Sequence, residues 1–155
     1  MRTAFAAVLL AAGPAAAEEC AAGADLAVTA ADPAPVPAGG STLLHPVVVN
    51  TGDAATTGPF TLYVHLPPGV FGTGTSPTGS CRTLPFGHTV ACAFPAGLAP
   101  GAEVTAEVTV SVATGMEAGV LEGSAETDLA GDPTPEDDTA RFAIVVLPAA
   151  PRATP

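Results

Sequence analysis

The sequence contains three cysteines, the residue type that forms covalent cross-links in exported proteins. Cys81 and Cys92 are 11 positions apart and flank the turn-forming stretch from Leu84 to Gly87. This spacing predicts a disulfide within or beside a β-hairpin, which leaves Cys20 as an unpaired thiol. Cys20 could instead form an intermolecular bridge, or a bridge to one of the other two cysteines, and the sequence leaves these alternatives open.

The three histidines lack the spacing of a catalytic or metal-binding set. A nucleophilic site needs a base beside the nucleophile, and the chain has no Gly-x-Ser-x-Gly motif to present a catalytic serine. His45 and His65 alternate with apolar residues, which predicts that they face solvent, whereas His88 begins a strand. Neither a zinc site nor a blue-copper site at Cys92 is expected, because the necessary ligands do not cluster. We therefore predict no catalytic residues and a protein that is not an enzyme.

The richest set of candidate ligands is acidic. Asp128 ends the predicted strand at 120–128, and Asp132, Asp137 and Asp138 lie in the loop that leads to the last predicted strand. A hard cation takes about six to eight oxygen ligands, often from such a loop. We hypothesise a weak extracellular calcium site at these four carboxylates, and we expect no other cofactor. The alternative is a solvated acidic surface that keeps the protein soluble.

A second prediction concerns the acidic residues on strands. A turn near Thr114 and Gly115 would pair the strands around Val108 and Val120 as a hairpin. Their shared solvent face would then carry five acidic residues, namely Glu103, Glu107, Glu122, Glu126 and Asp128.

Composition limits the partners of the chain. Its 155 residues are enough for one domain, and 15 acidic residues against four Lys plus Arg give a formal net charge of −11. So few cations cannot neutralise many phosphates, which excludes nucleic acid as a partner. All four cations are arginines, and the absence of Lys and Gln excludes isopeptide and thioester cross-links. Aromatic residues make up only 5% of the chain, so its core should be thin and built mainly from Ala and Val.

The first 17 residues have the pattern of a signal peptide. Arg2 precedes an apolar stretch from Ala4 to Ala12 that is too short to span a bilayer, and Ala15 to Ala17 supply a cleavage site. No later stretch reaches about 18 apolar residues, so no membrane span is expected. The chain is predicted to be secreted, either extracellular or at the cell surface. Removal of Arg2 would leave three arginines against 15 acidic residues, a formal net charge of −12.

Period-two alternation of apolar and polar residues predicts an all-β sandwich. In the clearest run, from Glu103 to Val112, valine and alanine occupy one face while glutamate, threonine and serine occupy the other. About seven main strands are expected by this rule, at 25–30, 42–50, 60–66, 90–94, 103–112, 120–128 and 139–146, with a short extra strand near Arg82. Pro46 cannot donate to a ladder, so a bulge or an open edge is expected there.

The stretches between the predicted strands define the domain organisation. Residues 72–79 are predicted to form a polar loop rich in Gly, Thr and Ser. The sandwich domain should cover 24–147, after a flexible segment at 18–23 and before a disordered Pro/Ala tail at 148–155.

Short motifs along the chain occur in a recognisable order. They are Ala24-Asp25-Leu26-Ala27-Val28, Ala38-Gly39-Gly40, Val49-Asn50-Thr51-Gly52, Leu66-Pro67-Pro68-Gly69-Val70, the cysteine pair, Leu98-Ala99-Pro100-Gly101 and the stretch from Asp132 to Ala140. With these motifs the chain resembles the domain of unknown function 11, a repeat module of bacterial surface proteins with an immunoglobulin-like β-sandwich. The resemblance covers roughly residues 24–146. It departs from the family in occurring once rather than in tandem, and in having Asp137 and Asp138 where the family usually has paired Asn.

The resemblance implies a spacer, adhesion or interaction module and supplies no catalytic residue. We predict an exported, non-enzymatic structural or interaction module of the bacterial cell surface or medium. Its partner would be another surface protein or envelope component. The alternative is a small secreted protein that binds a metal or another ligand through its acidic loop.

Overall fold

The computed structural model describes residues 22–149 and residue 151. The predicted signal peptide, Cys20 and most of the predicted tail lie outside these residues. Twelve β-strands are found within the described residues: β1 (Leu26–Thr29), β2 (Val36–Pro37), β3 (Ser41–Leu44), β4 (Val47–Asn50), β5 (Phe60–His65), β6 (Val70–Thr75), β7 (Ser80–Thr83), β8 (Thr89–Phe94), β9 (Glu103–Thr105), β10 (Glu107–Val112), β11 (Gly119–Thr127) and β12 (Thr139–Leu147). None of the described residues forms a helix long and apolar enough to cross a membrane.

One layer of the sandwich is a composite of two short sheets. In the first, β4 lies between β1 and β9, and in the second, β10 lies between β3 and β6. The two sheets share continuous chain, because β3 leads into β4 and β9 leads into β10. The breaks fall at His45-Pro46 and at Ala106, where the Ala106 amide donates to the Pro46 carbonyl at 3.2 Å. The interruption predicted at Pro46 is therefore confirmed, since proline has no amide hydrogen for the ladder.

The other layer is a six-stranded sheet with the order β2-β12-β11-β5-β8-β7. All its neighbours are antiparallel except the short β2, which pairs in parallel with the end of β12. Alternate residues of β5, β8 and β12 face the other layer, and Leu62, Cys92 and Ile144 are completely buried. The predicted all-β sandwich is confirmed, and so are the inner faces predicted from the alternation in these three strands.

The predicted polar loop at 72–79 is wrong in its first half, because Val70–Thr75 forms strand β6. Gly72 and Gly74 face the core. A Cβ at Gly72 would lie 2.8 Å from a Val90 methyl group, and one at Gly74 would lie 2.6 Å from the other. Glycine has low strand propensity, but here it allows β6 to pack closely on Val90. Tertiary packing therefore overrides the local preference.

The predicted hairpin between the strands around Val108 and Val120 is also wrong. β10 pairs with β3 and β6, whereas β11 pairs with β5 and β12. The connection from 113 to 118 crosses from one layer to the other. The apolar faces of β10 and β11 therefore pack against the same core from opposite sides. Glu103 and Glu107 consequently belong to a different layer from Glu122 and Glu126, and no common acidic face exists.

Cys81 and Cys92 are bonded as a disulfide. They occupy directly opposite positions on β7 and β8, within the hairpin that the spacing predicted. Cys92 is fully buried in the core cluster, and Cys81 packs against that cluster. The bridge therefore attaches the edge strand β7 to a core with few aromatic side chains.

Removing the bridge should lower the free energy of unfolding by about 2–3 kcal/mol, because the cross-link restricts the unfolded chain over 11 residues. The test is urea denaturation of Cys81→Ala/Cys92→Ala against the parent, both carrying Cys20→Ser. A stability unchanged within about 0.5 kcal/mol would contradict the prediction.

The strands give the sandwich two distinct ends. At one end of the sandwich, strands β1, β5 and β12 begin and strands β4, β8 and β11 finish. At the other end, strands β3, β6 and β11 begin and strands β10 and β12 finish. We call the first the acidic end, defined by Asp25, Thr127, Asp132, Asp137 and Asp138. We call the second the apolar end, defined by the exposed side chains of Phe71, Phe86, Val120 and Leu147.

Candidate functional site

The acidic end brings together carboxylates from both ends of the described chain. One carboxylate oxygen from each of Asp25, Asp132 and Asp137 lies within 4.8 Å of the others. Asp25 precedes β1, and the other two lie in the connection between β11 and β12. More than 100 residues separate the two segments, so the fold rather than local sequence creates the cluster.

Hydrogen bonds hold this cluster to the first strand. The Leu26 amide donates to Asp132 Oδ2 at 2.7 Å, and the Thr134 amide donates to Asp132 Oδ1 at 2.9 Å. The Val28 amide donates to the Asp137 carbonyl at 2.8 Å. The free edge of β1 is thus satisfied by the acidic connection rather than by another strand.

Several oxygens at the acidic end have no partner of their own. Four buried side-chain oxygens without a hydrogen bond occur in the described part of the chain, and all four lie here: Asp25 Oδ1, Thr127 Oγ1, Asp137 Oδ1 and Asp138 Oδ1. Buried polar atoms are normally paired, so such a concentration calls for a physical explanation.

Burial and like charge raise the pKa of two of these carboxyls. Burial contributes most to raising the pKa of Asp138 to about 6, and the charges of Asp132, Asp137 and Asp25 add to it. Burial also contributes most to raising the pKa of Asp25, followed by the close approach of the Asp132 carboxyl group. The hydrogen bond that Asp25 Oδ2 accepts from the Thr134 hydroxyl at 3.2 Å acts in the opposite direction.

The calcium ligands predicted from the sequence do not all meet. Asp132 and Asp137 come together, and Asp138 lies close enough to add its charge. Asp128 is exposed, and its Oδ1 accepts the Thr61 amide hydrogen at 2.6 Å, so it holds β5 instead. Asp25 joins the set although nothing in the local sequence marks it, because its neighbours in space are remote along the chain.

Asn50 holds several backbone segments together next to the acidic end. It is completely buried, and its amide group donates to the carbonyls of Ala54 and Leu98, both at 2.8 Å. Its carbonyl oxygen accepts the amide hydrogens of Asp25 at 3.2 Å and Gly52 at 3.0 Å. Asn50 therefore fixes the backbone of Asp25.

Replacing Asn50 with Ala should lower the free energy of unfolding by about 3 kcal/mol, since it leaves four backbone groups without their partner. The matched control is Thr51→Ala, whose exposed hydroxyl makes one bond of 3.2 Å and should matter by about 0.5 kcal/mol or less. Urea denaturation measures both, and equal effects would contradict the assignment.

The histidines lie at the protein surface, as predicted for His45 and His65. His65 Nε2 lies 2.9 Å from Glu126 Oε1 on the outer face of the six-stranded sheet, and His45 Nε2 lies 3.5 Å from Glu107 Oε2. His88 Nδ1 donates to the Val70 carbonyl at 2.7 Å. Within the described residues, no histidine belongs to a group of three or more ligand side chains.

The apolar end carries the most exposed large hydrophobic side chain in the described structure. Phe86 is 89% exposed and sits at the tip of the β7–β8 hairpin with a φ of +74°. Pro85 precedes it, and the Gly87 amide donates to the Leu84 carbonyl at 3.1 Å, as in a type II turn. The third position of such a turn favours Gly or Asn, so an aromatic residue there costs stability.

The hairpin tip that carries Phe86 lies beside a second exposed aromatic side chain. Phe71 is 43% exposed and stacks on His88 with ring centroids 4.9 Å apart. A Cβ at Gly87 would lie 2.9 Å from the Phe71 ring, so the hairpin tip packs directly on β6. Val120 and Leu147 are exposed at the same end.

Comparison with known proteins finds likeness in structure but not in sequence. No family model and no curated protein matches the chain. The third ScaC cohesin of Acetivibrio cellulolyticus, solved in complex with the ScaB dockerin, aligns with a TM-score of 0.57 at 11% identity, over 79% of this chain and 99% of that one. The seventh ScaB type I cohesin of Pseudobacteroides cellulosolvens gives 0.54 at 12% identity, over 83% and 97%.

A pilin shows the same fold within a longer protein. BcpA, the major pilin subunit of Bacillus cereus, aligns with a TM-score of 0.51 at 9% identity, over 81% of this chain and 40% of that one. Identities this low show a shared β-sandwich fold and nothing finer.

The raised pKa of Asp138 predicts a specific pH dependence. The folded state takes up a proton at about pH 6, whereas the unfolded chain does so near pH 3.8, so the stability contribution of this group falls as pH rises between these values. Asp138→Asn should be insensitive to this titration. In buffer with chelator, its Tm relative to wild type should increase by about 5–8 °C from pH 4 to pH 7. A Tm difference that stays constant with pH would contradict the prediction.

Proposed function

We propose that the chain is an exported, non-enzymatic interaction module that docks through its apolar end on another surface protein or envelope component. The observation that carries the proposal is Phe86, an 89% exposed aromatic side chain in a backbone conformation that disfavours it. Stability alone would favour Asn or Gly at this position. A residue that lowers stability and contacts solvent is best explained by what it binds.

The chemistry of the apolar end suits a protein partner. Aromatic side chains are the most common anchors of protein interfaces, because each buries a large area at a low entropy cost. Phe71 offers a second ring close to the hairpin tip, and its stacking on His88 fixes its orientation. A partner with a hydrophobic pocket could therefore take up Phe86 and cover Phe71 without large rearrangement.

Other features support the proposal. The cohesin of Acetivibrio cellulolyticus that shares this fold was solved in complex with a dockerin, so such a sandwich can serve as a protein-binding domain. The disulfide fits an oxidising compartment outside the cytoplasm. Membership of the domain of unknown function 11 and removal of a signal peptide stay predictions that agree with this function.

Phe86→Asn separates binding from folding, because Asn tolerates a positive φ. We expect the variant to be about 1 kcal/mol more stable than wild type in urea denaturation. At the same time it should reduce capture of the partner by tenfold or more, as expected for loss of an interface anchor. Capture is measured by mass spectrometry after immobilising residues 18–155 and applying envelope and culture-medium fractions.

Tyr63→Ser is the matched control, since this aromatic residue lies on the outer face of the six-stranded sheet beside His65. It should leave capture unchanged. If Tyr63→Ser loses the partner while Phe86→Asn retains it, the binding surface is the outer face of the six-stranded sheet and not the apolar end. Wild-type protein that captures no partner would argue against the proposed function.

A further inference from the structure

We propose that the acidic end binds one calcium ion through Asp25, Asp132 and Asp137, with the neighbouring Thr127 hydroxyl and water supplying further oxygens. This binding goes beyond the docking proposed for the apolar end and does not depend on it. The site differs from the loop site expected from sequence, because Asp25 replaces Asp128. It therefore joins the first strand to the β11–β12 connection.

The evidence for a ligand includes a residue that is not acidic. Thr127 is 8% exposed, and its hydroxyl oxygen is buried without a hydrogen-bond partner. It lies opposite Asp138 across the β11–β12 ladder, where its amide donates to the Asp138 carbonyl at 3.0 Å. Its strand partner on the other side is Leu62, a core residue, so the Thr127 side chain points inward at this end. The inward Thr127 hydroxyl and the Asp138 carboxylate beside it both have a buried oxygen without a partner, which indicates a missing ligand at this end.

The geometry suits calcium. Ligand oxygens lie about 2.3–2.6 Å from Ca²⁺, so two oxygens on opposite sides of the ion are about 4.6–5.2 Å apart. The oxygens of Asp25, Asp132 and Asp137 lie within 4.8 Å of one another, which places all three within reach of one such ion. The set contains neither nitrogen nor sulfur, so softer metals such as zinc and copper are disfavoured.

The positions of the ligands are fixed before the ion arrives. Backbone amides of Leu26 and Thr134 orient the Asp132 carboxylate, and the Thr134 hydroxyl holds one oxygen of Asp25. Each oxygen bonded in this way keeps a second lone pair for a cation. Asp25 also lines an open cleft with Asp53, Gly131 and Pro133, so one of the three ligand residues borders solvent.

Electrostatics also favour a divalent cation here. Four carboxylates gather in a partly buried volume, and no arginine forms a salt bridge with any of them in the described structure. Two positive charges would remove most of the mutual repulsion, and water could supply the remaining ligands that Ca²⁺ requires. Because the ligands come from segments more than 100 residues apart, binding should stabilise the whole fold rather than one loop.

The test is titration of chelator-treated, full mature protein with CaCl₂ at pH 7.5, followed by calorimetry and thermal melting. We expect one ion per chain, a Kd of about 10⁻⁴ to 10⁻³ M as in extracellular modules, and a rise in Tm of about 5 °C at 10 mM CaCl₂. No binding heat together with an unchanged Tm in wild type would overturn the proposal, whatever any variant does.

Two variants identify the site. Asp137→Asn should lose the response of Tm to calcium, and in chelator it should melt at the wild-type temperature or above, because it removes one like charge. Asp128→Asn is the matched control: it removes the same charge from the same connection, and its Asn oxygen can still accept the Thr61 amide hydrogen. It should keep the full response. Equal Tm responses to calcium in both variants, or loss of the response in Asp128→Asn alone, would overturn the assignment. If Asp137→Asn fails to fold, Asp25→Asn gives the same test.

Discussion

The closure of the sandwich depends on carboxylates that must stay close together although they repel one another. Strand β1 pairs with β4 on one side, and on the other its amides bind Asp132 Oδ2 and the Asp137 carbonyl. Hydrogen bonds from amides to a carboxylate are stronger than neutral ones, which favours this arrangement. The same bonds draw Asp25 and Asp138 into the cluster, so the connection that closes the fold also concentrates negative charge.

The two ends of the molecule lie too far apart for strong electrostatic coupling between them. Strand β11 has nine residues and runs from one end to the other, a distance of about 30 Å. Charges are screened over about 10 Å at 0.1 M salt. The acidic end therefore has little electrostatic influence on a partner at Phe86, and a cation bound there would act on the apolar end only through the stability of the sheet.

The sequence predicts those parts of the fold where burial alternates, and it fails where distant segments meet. Alternation located the inner faces of β5, β8 and β12, since a half-buried strand has period two. It missed β6, because Gly72 and Gly74 are selected for close packing rather than for strand propensity. It also missed Asp25 in the acidic cluster and placed β10 beside β11, because neither pairing across space leaves a local pattern.

Both candidate sites contain features that lower stability, and both lie at the ends of the sandwich rather than within its sheets. Phe86 occupies a turn position suited to Asn or Gly, and the acidic end buries oxygens that have no partner. A sequence optimised for stability alone would remove both features by single substitutions such as Phe86→Asn or Asp138→Asn. Each costs stability without improving the packing of the core. Their cost is best explained by ligands that satisfy them, an apolar protein surface at one end and a hard cation at the other.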